Sequence, residues 1–215
     1  MQCLVARAFL LFFCCLGFSS VLAQTTPAKI TLKRGDNYRE IKPQPVVDAS
    51  RIEVIDFFFY ACPYCNELRP ALESWRKAQG GEVVFRRVPA IRRDIWVPLA
   101  RTYYTLEALG EVERLHDEVY KSYHNEKLHM SKPDVMADWA AKHGIDRQRW
   151  LEIYQSAETT RKVEEARKLT AAYDIQGTPS IVVDGRYLTS SGMTDDISLI
   201  IPVVQSLVEL ARSRR

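Results

Sequence analysis

The chain has 215 residues, of which 47% are hydrophobic, and a formal net charge of +3 at pH 7. This length predicts one domain enlarged by an insertion, and the hydrophobic fraction is too high for a disordered chain. The nearly balanced charge, without a long run of one sign, gives no indication of a nucleic-acid or membrane-surface partner.

The first 23 residues have the pattern of a cleaved export signal. Arg7 supplies a positive charge, residues 8–18 form an apolar segment, and Val21–Ala23 ends in the small residue that cleavage requires. The alternative is an uncleaved membrane anchor, but spanning a membrane needs about 20 apolar residues and Gly17 interrupts the run earlier. We therefore expect residues 1–23 to be a signal peptide and the protein to be exported.

Export changes the use of the five cysteines. Cys3, Cys14 and Cys15 would leave with the signal, so that only Cys62 and Cys65 remain. Disulfides form and persist outside the reducing cytosol. A bridge between cysteines three positions apart closes a very short loop and removes little entropy from the unfolded chain. The pair is therefore better suited to reversible redox chemistry than to stabilising the fold.

The segment after the signal predicts strands and one helix. Residues 25–45 indicate an irregular lead-in with at most a short strand near Tyr38–Ile41. Residues 51–60 are β-branched, aromatic and apolar almost throughout, which is typical of a strand covered on both faces in the middle of an α/β sheet. A helix is predicted over 62–79, and the stretch 82–88 is predicted to be a second strand.

From about residue 93 to 160 the apolar residues recur only at helical spacing. The predicted helices cover 99–109, 112–123, a segment with Ser131 as its N-cap, a segment beginning at Asp146, and 158–173. A hairpin follows, in which Ser180–Asp184 and Arg186–Thr189 are joined at Asp-Gly, and an amphipathic helix over 196–211 ends the chain. This order predicts an α/β domain that is interrupted by a helical insertion.

The sequence Cys62-Pro63-Tyr64-Cys65 lies at the predicted junction between strand and helix. Thiol–disulfide exchange needs a thiolate that attacks a sulfur and a second thiol that completes the exchange. The unpaired N–H groups and the dipole of a helix N-terminus lower the pKa of a thiol below its ordinary value of about 8.5. Cys62 is therefore predicted to be the attacking, partly exposed thiolate, and Cys65 the shielded, resolving thiol.

Half of a zinc site has the same cysteine spacing. A structural zinc site needs four ligands, and no further cysteine would remain in the exported chain. The four histidines all fall in the predicted insertion, where a lone histidine is more often a core or surface residue than a ligand: His116, His124, His129 and His143. We therefore expect no metal.

Asp56 interrupts the apolar run that precedes the cysteines. Asp56 lies six residues before Cys62. An unpaired buried carboxylate is costly and tends to be protonated, with a raised pKa. Beneath a disulfide, Asp56 could accept a proton from Cys65 or return one. The alternative places Asp56 at a sheet edge or in solvent, although the flanking residues Phe57–Phe59 argue against it.

The triplet Gly177-Thr178-Pro179 stands directly before the hairpin. Proline cannot donate a hydrogen bond within a sheet, so it marks the first residue of a strand or a special turn. A cis Thr178–Pro179 peptide bond is the more specific hypothesis, because the cis form is uncommon even before proline.

Together these residues resemble the thioredoxin superfamily, and within it the DsbA-like periplasmic oxidoreductases. The stretch Asp56–Cys65 carries most of the match, because family members place an acidic residue six positions before the first cysteine. Thr178-Pro179 is similar to the family's cis-proline before the penultimate strand. The resemblance implies an α/β thioredoxin fold over 24–92 and 158–215, with an all-helical insertion over 93–157.

The resemblance implies a periplasmic thiol:disulfide oxidoreductase that donates disulfides to newly exported, unfolded proteins. The implied catalytic residues are Cys62, Cys65 and Asp56, and the implied substrate-binding residues are Pro63, Tyr64, Thr178 and Pro179. A membrane quinone reductase resembling DsbB would reoxidise the cysteines, and no cofactor is needed because the electrons move between sulfurs. The lack of room for a dimerisation domain favours a monomer.

One residue departs from the family pattern. Many DsbA-like proteins have histidine at the position of Tyr64, and tyrosine cannot supply the cationic or donor stabilisation that histidine gives to a thiolate. The sequence therefore predicts a weaker Cys62 thiolate, and a less oxidising disulfide, than in relatives with histidine.

Three other functions remain open at this point. An isomerase or reductant resembling DsbC and DsbG shares threonine before the cis-proline, but those proteins have an N-terminal dimerisation domain, and only about 30 residues separate Ala23 from the first core strand. Glutaredoxins also contain Cys-Pro-Tyr-Cys, but they are short and cytosolic. A non-catalytic protein that binds unfolded chains could have the same scaffold.

Overall fold

The computed structural model describes residues 30–215, so the predicted signal peptide and the cysteines at positions 3, 14 and 15 lie outside the described residues. Five strands form one sheet within the described part: β1 (Arg39–Glu40), β2 (Ile52–Phe58), β3 (Val83–Pro89), β4 (Ser180–Val183) and β5 (Tyr187–Ser190). Seven α-helices accompany it in the same part: α1 (Pro63–Ala78), α2 (Val97–Ala108), α3 (Val112–His124), α4 (Pro133–Lys142), α5 (Arg147–Tyr154), α6 (Ala157–Ala172) and α7 (Ile200–Ser213).

The strands are ordered β1-β5-β4-β2-β3 across the sheet. β2 runs parallel to β3 and antiparallel to β4, and the other neighbouring pairs are antiparallel. Every residue of β2 is buried, because β2 lies between two strands and is covered on both faces. The prediction of a central, doubly covered strand from continuous apolarity is therefore confirmed.

Alternate residues of β2 face two different cores. Ile52 and Val54 pack with α1 and α7, and these two helices are joined where Trp75 Nε1–H donates to Gln205 Oε1 at 2.8 Å. Ile55 and Phe57 face the second core, which contains buried residues of α2 to α6. β2 is thus held by packing on both of its faces.

The five helices α2 to α6 lie between β3 and β4, as the helical spacing predicts. One predicted cap is wrong: the N-cap of α4 is Lys132, without a side-chain cap, rather than Ser131, because Pro133 takes the first helical position. Asp146 caps α5 as predicted, since its carboxylate accepts the Arg149 N–H at 2.7 Å. Among residues 30–215, no helix is long and apolar enough to cross a membrane.

The predicted hairpin is confirmed at β4 and β5. Asp184 and Gly185 both have positive φ, 53° and 64°, and are the central residues of a β-turn in which the Arg186 N–H donates to the Val183 carbonyl at 3.1 Å. A Cβ atom at Gly185 would also collide with the carbonyl oxygen of Gln44. The hairpin places the residues before β4 beside the C-terminal end of β2.

Candidate active site

The two described cysteines lie at the start of α1, directly after the loop that follows β2. The Cys62 N–H donates to the Phe59 carbonyl at 2.9 Å, and this turn makes Cys62 the N-cap of α1, with Pro63 at the first helical position. Cys62 is half-buried, whereas Cys65, one turn later, is buried, and both are free thiols. The predicted difference in accessibility between the two thiols is confirmed.

The surroundings of Cys62 favour its thiolate. The side-chain hydrogen bond with Cys65 is the largest influence that lowers the pKa of Cys62, to about 6. The side chain of Thr178 and the backbone N–H groups of Cys65 and Tyr64 act in the same direction, while burial opposes them. The thiolate is therefore the main form of Cys62 at neutral pH.

Cys65 has the opposite character. Burial raises the pKa of Cys65 well above its ordinary value, and its hydrogen bond with Cys62, the charge of Cys62 and the charge of Asp56 raise it further. Cys65 therefore keeps its proton while Cys62 gives its proton up. Two thiols with such different pKa values can act as attacking and resolving groups.

The segment before β4 lies against the cysteines. The Thr178–Pro179 peptide bond is cis, as predicted. In its thiol form, Cys62 donates from Sγ to the Thr178 carbonyl at 3.1 Å. Ser180 Oγ donates to the Gly177 carbonyl at 2.8 Å and so holds the segment in place. Cys62 and Thr178, which are 116 positions apart in the sequence, are thus in contact through the Cys62 sulfur.

Asp56 is buried beneath the cysteines. It is only 5% exposed, in the interior of the sheet, so the alternative of an edge or solvated position is wrong. No hydrogen bond or ion pair joins its carboxyl to another described residue. Burial raises the pKa of Asp56 to about 7, against the opposing charge of Arg87, and the charge of Cys62 raises it too.

A cavity of about 20 Å³ connects Asp56 with Cys65, and Pro179 also lines it. Roughly 10–15 Å³ is enough space for one water molecule. Asp56 and Cys65 therefore share a cavity with space for one water, through which a proton can pass between them.

The remaining predicted site residues lie at the surface. Pro63 is exposed, and Tyr64 is 57% exposed. Tyr64 and Thr178 line a mainly apolar groove of about 520 Å³, to which Leu188 and Met193 also contribute. All seven predicted site residues are therefore gathered at one end of β2.

Two histidines near the site could not be identified from the sequence. His124 Nε2–H donates to the Tyr60 carbonyl at 2.8 Å, and His116 Nδ1 shares a hydrogen bond of 2.9 Å with the Tyr60 hydroxyl. Burial lowers the pKa of His116 well below its ordinary value. Both histidines lie on α3, so this helix fixes the residue two positions before Cys62. Within residues 30–215, no three His, Cys, Asp or Glu side chains group as a metal site.

Comparison with known proteins finds similarity to DsbA-like proteins in both a family model and individual sequences. A family model described as "DSBA-like thioredoxin domain" matches residues 96–198. The protein "Thiol:disulfide interchange protein DsbA" of Burkholderia cepacia is 34% identical over 202 residues, which cover 93% of this chain and 94% of that protein. The protein of the same name from Pseudomonas aeruginosa PAO1 is 32% identical over 180 residues, 83% of this chain and 85% of that protein.

Solved structures are similar as well. The crystal structure of Pseudomonas aeruginosa DsbA has a TM-score of 0.80 and 31% identity, and the match covers 84% of this chain and 94% of that one. The structure of oxidoreductase DsbA from Xylella fastidiosa has a TM-score of 0.79 and 29% identity, covering 85% and 98% of the two chains. These similarities confirm the predicted thioredoxin fold.

Proposed function

Since the chain belongs to the DsbA-like family of thiol:disulfide oxidoreductases, we propose that it donates disulfides to newly exported proteins in the periplasm. The observation that supports this direction most strongly is the low pKa of Cys62, about 6. A stabilised thiolate favours the reduced form of a dithiol, and a pair that favours its reduced form is a strong oxidant as a disulfide.

In the first step, a substrate thiolate attacks Sγ of Cys62 in the Cys62–Cys65 disulfide. Cys62 is the accessible sulfur, so the mixed disulfide forms there and Cys65 leaves as a thiolate. The raised pKa of Cys65 makes this thiolate strongly basic, and it takes a proton. Asp56, with a pKa of about 7, is protonated in part at neutral pH and supplies that proton through the shared cavity.

In the second step, another substrate thiolate attacks the substrate sulfur of the mixed disulfide. The substrate gains its disulfide, and Cys62 leaves as a thiolate, which the Cys65 hydrogen bond and the N–H groups of α1 stabilise. Two electrons pass from the substrate thiols to the cysteine pair. During reoxidation, Asp56 takes back the proton of Cys65.

The substrate chain lies along the groove beside the cis-proline. Its extended backbone pairs with Thr178 and Pro179, and its side chains contact Tyr64 and Pro63. Backbone pairing recognises any extended chain, so the site accepts many cysteine-containing proteins.

The partners and the domain division belong to the same proposal. Residues 1–23 direct export, and a membrane quinone reductase resembling DsbB reoxidises the pair. The thioredoxin-like domain comprises 24–92 and 158–215, the segment 93–157 is its helical insertion, and the protein acts as a monomer without a cofactor.

Mixing the oxidised protein with a reduced, unfolded protein that has one native disulfide tests the proposal. We expect the substrate to become oxidised while Cys62 and Cys65 become reduced, in equal amounts. Cys62→Ser/Cys65→Ser serves as the control and should oxidise nothing. A reductant or isomerase would leave the substrate thiols largely unoxidised, and a non-catalytic binder would retain the unfolded chain equally well with both cysteines replaced.

Tyr64→His should raise the reduction potential of the Cys62–Cys65 pair. A histidine next to the helix N-terminus adds a cation or a hydrogen-bond donor for the Cys62 thiolate, which the phenol of Tyr64 does not supply. We expect the pKa of Cys62 to fall by about one unit, which is equivalent to a rise of about 30 mV in reduction potential. Thiolate absorbance against pH and the glutathione equilibrium measure the two quantities. Tyr64→Phe is the matched control, and equal values for the two variants would refute the prediction.

A further inference from the structure

The segment between β3 and α2, Arg92–Trp96, borders the redox site on two sides. The Arg92 guanidinium donates to the carbonyl and the side-chain oxygen of Gln176, two residues before Thr178. At the other end, the ring of Trp96 stacks on Phe59, with centroids 4.1 Å apart and planes within 3°. The segment therefore contacts both loops that carry the site.

Two exposed positive charges stand on this segment. Arg92 and Arg93 are exposed, and neither forms an ion pair with any residue of 30–215. The contacts of Arg92 are with neutral oxygens of Gln176, and the guanidinium of Arg93 lies over the ring of Trp96, 5.9 Å from its centroid. These contacts position the two guanidinium groups without neutralising them.

The neighbouring charges compensate one another instead. Asp94 pairs with Arg167 at 2.9 Å, and Asp174 pairs with Arg39, also at 2.9 Å. Asp94 and Asp174 are thus each paired with another arginine, and Arg167 also lies 3.6 Å from Glu164. The four arginines and three acidic side chains of this group carry a net charge of +1, and Arg92 and Arg93 are its two arginines without an ion pair among residues 30–215.

We propose that Arg92 and Arg93 make this protein selective for cysteine-containing polypeptides with acidic residues next to the cysteine. The proposal rests on the proposed disulfide transfer and specifies its substrate class. A chain that is extended along the cis-proline segment passes Gln176, to which Arg92 is bound. Uncompensated charge at a binding site accelerates encounter with partners of opposite charge and slows encounter with those of like charge.

Three synthetic peptides test the selectivity. Each contains two cysteines in an identical chain, and the residues that flank them are glutamate, glutamine or lysine. The reaction converts the two peptide thiols to a disulfide while the Cys62–Cys65 disulfide takes up the two electrons and two protons. Flanking charges also change the peptide's own thiol pKa, so each rate is divided by the rate of the same peptide with hydroxyethyl disulfide, an uncharged oxidant.

At low ionic strength we expect the corrected rate for the glutamate peptide to exceed that for the lysine peptide by about tenfold, the lower end of electrostatic steering. The difference should shrink at about 1 M salt, where the screening length falls to roughly 3 Å. Arg92→Gln/Arg93→Gln, in which glutamine keeps an N–H donor for Gln176, should reduce the ratio to within about twofold. Arg93→Glu alone, which leaves the Arg92 contact intact, should also reduce it.

Lys132→Gln/Lys142→Gln removes two exposed positive charges at the two ends of α4, neither of them in an ion pair with a residue of 30–215, and is the matched control. Its glutamate-to-lysine ratio should equal that of the unsubstituted protein. Equal corrected rates for all three peptides, or an equal loss of selectivity in this control, would overturn the proposal while leaving disulfide transfer intact. Failure of the unsubstituted protein to oxidise even the glutamine peptide would refute the proposed function itself.

Discussion

Cys62→Ser should abolish disulfide transfer, whereas Cys65→Ser should stop it at a covalent complex with the substrate. Serine oxygen cannot form or accept a disulfide, so without Cys62 the accessible sulfur is lost, and the rate of substrate oxidation should fall by at least about 10³-fold. Cys65 is buried, with a raised pKa, and cannot replace Cys62 at the surface.

Cys65→Ser keeps the half-buried, reactive Cys62. Loaded with a small disulfide, this variant should exchange with a substrate thiol and retain the substrate, because no resolving thiol remains. Mass spectrometry under non-reducing conditions detects the complex, and a reductant should release it. The assignment of roles would be contradicted if the Cys62→Ser variant formed the complex through Cys65 at a comparable rate.

Asp56→Asn should change stability in a pH-dependent way. The pKa of Asp56 is raised in the folded protein from an ordinary value of 3.8 to about 7. Between these two values the folded state binds more protons than the unfolded state, so the contribution of Asp56 to stability decreases as pH rises. Above pH 7 the cost approaches about 4 kcal/mol, from three units at about 1.4 kcal/mol each.

The substitution removes this charge but leaves a polar amide in the same site. We therefore expect Asp56→Asn to raise the free energy of unfolding by about 2 kcal/mol at pH 8 and to have little effect at pH 4. Denaturant unfolding of the disulfide form measures this change, because neither cysteine titrates in that form and the pKa of Asp56 then depends on burial against the charge of Arg87. A stability gain independent of pH would contradict the raised pKa.

Glu53→Gln is the matched control, since Glu53 is also a buried carboxylate of β2. Glu53 Oε1 is paired with Arg86 at 2.7 Å, whereas Asp56 has no such partner. Breaking a buried ion pair is destabilising, so Glu53→Gln should lower the free energy of unfolding at pH 8, opposite to Asp56→Asn.

The same Asp56 substitution should slow the reaction. Without the carboxyl group, the Cys65 thiolate must take its proton from bulk solvent, and positioned acids contribute about 10²-fold or more to such steps. We expect substrate oxidation near pH 7 to be roughly 10²-fold slower in Asp56→Asn, while Glu53→Gln keeps its rate. An unchanged rate would exclude Asp56 from the proton transfer.

The sequence predicts those parts of the site that depend on local pattern. Continuous apolarity identifies β2 as a buried strand, and the phenylalanines that follow Asp56 within this run indicate that Asp56 is buried as well. Proline after Cys62 predicts the helix start, where the side-chain hydrogen bond with Cys65 and then the first backbone N–H groups lower the pKa of Cys62. These features are encoded over a few neighbouring residues, so local physical rules are sufficient.

Other parts depend on contacts between distant segments. Nothing in the spacing of His116 and His124 indicates that both reach Tyr60, because their direction depends on how α3 packs against β2. Trp96 is a core residue, yet the same ring stacks on Phe59 beside the redox loop. The contact between Arg92 and Gln176 joins residues 84 positions apart and could not be predicted either.

The redox equilibrium of Cys62 and Cys65 with glutathione tests the central claim most directly. The low pKa of Cys62 stabilises the reduced pair, so we predict a reduction potential well above the value of about −270 mV for thioredoxin. A potential near that of thioredoxin would contradict the role of disulfide donor and would instead identify a reductant or isomerase.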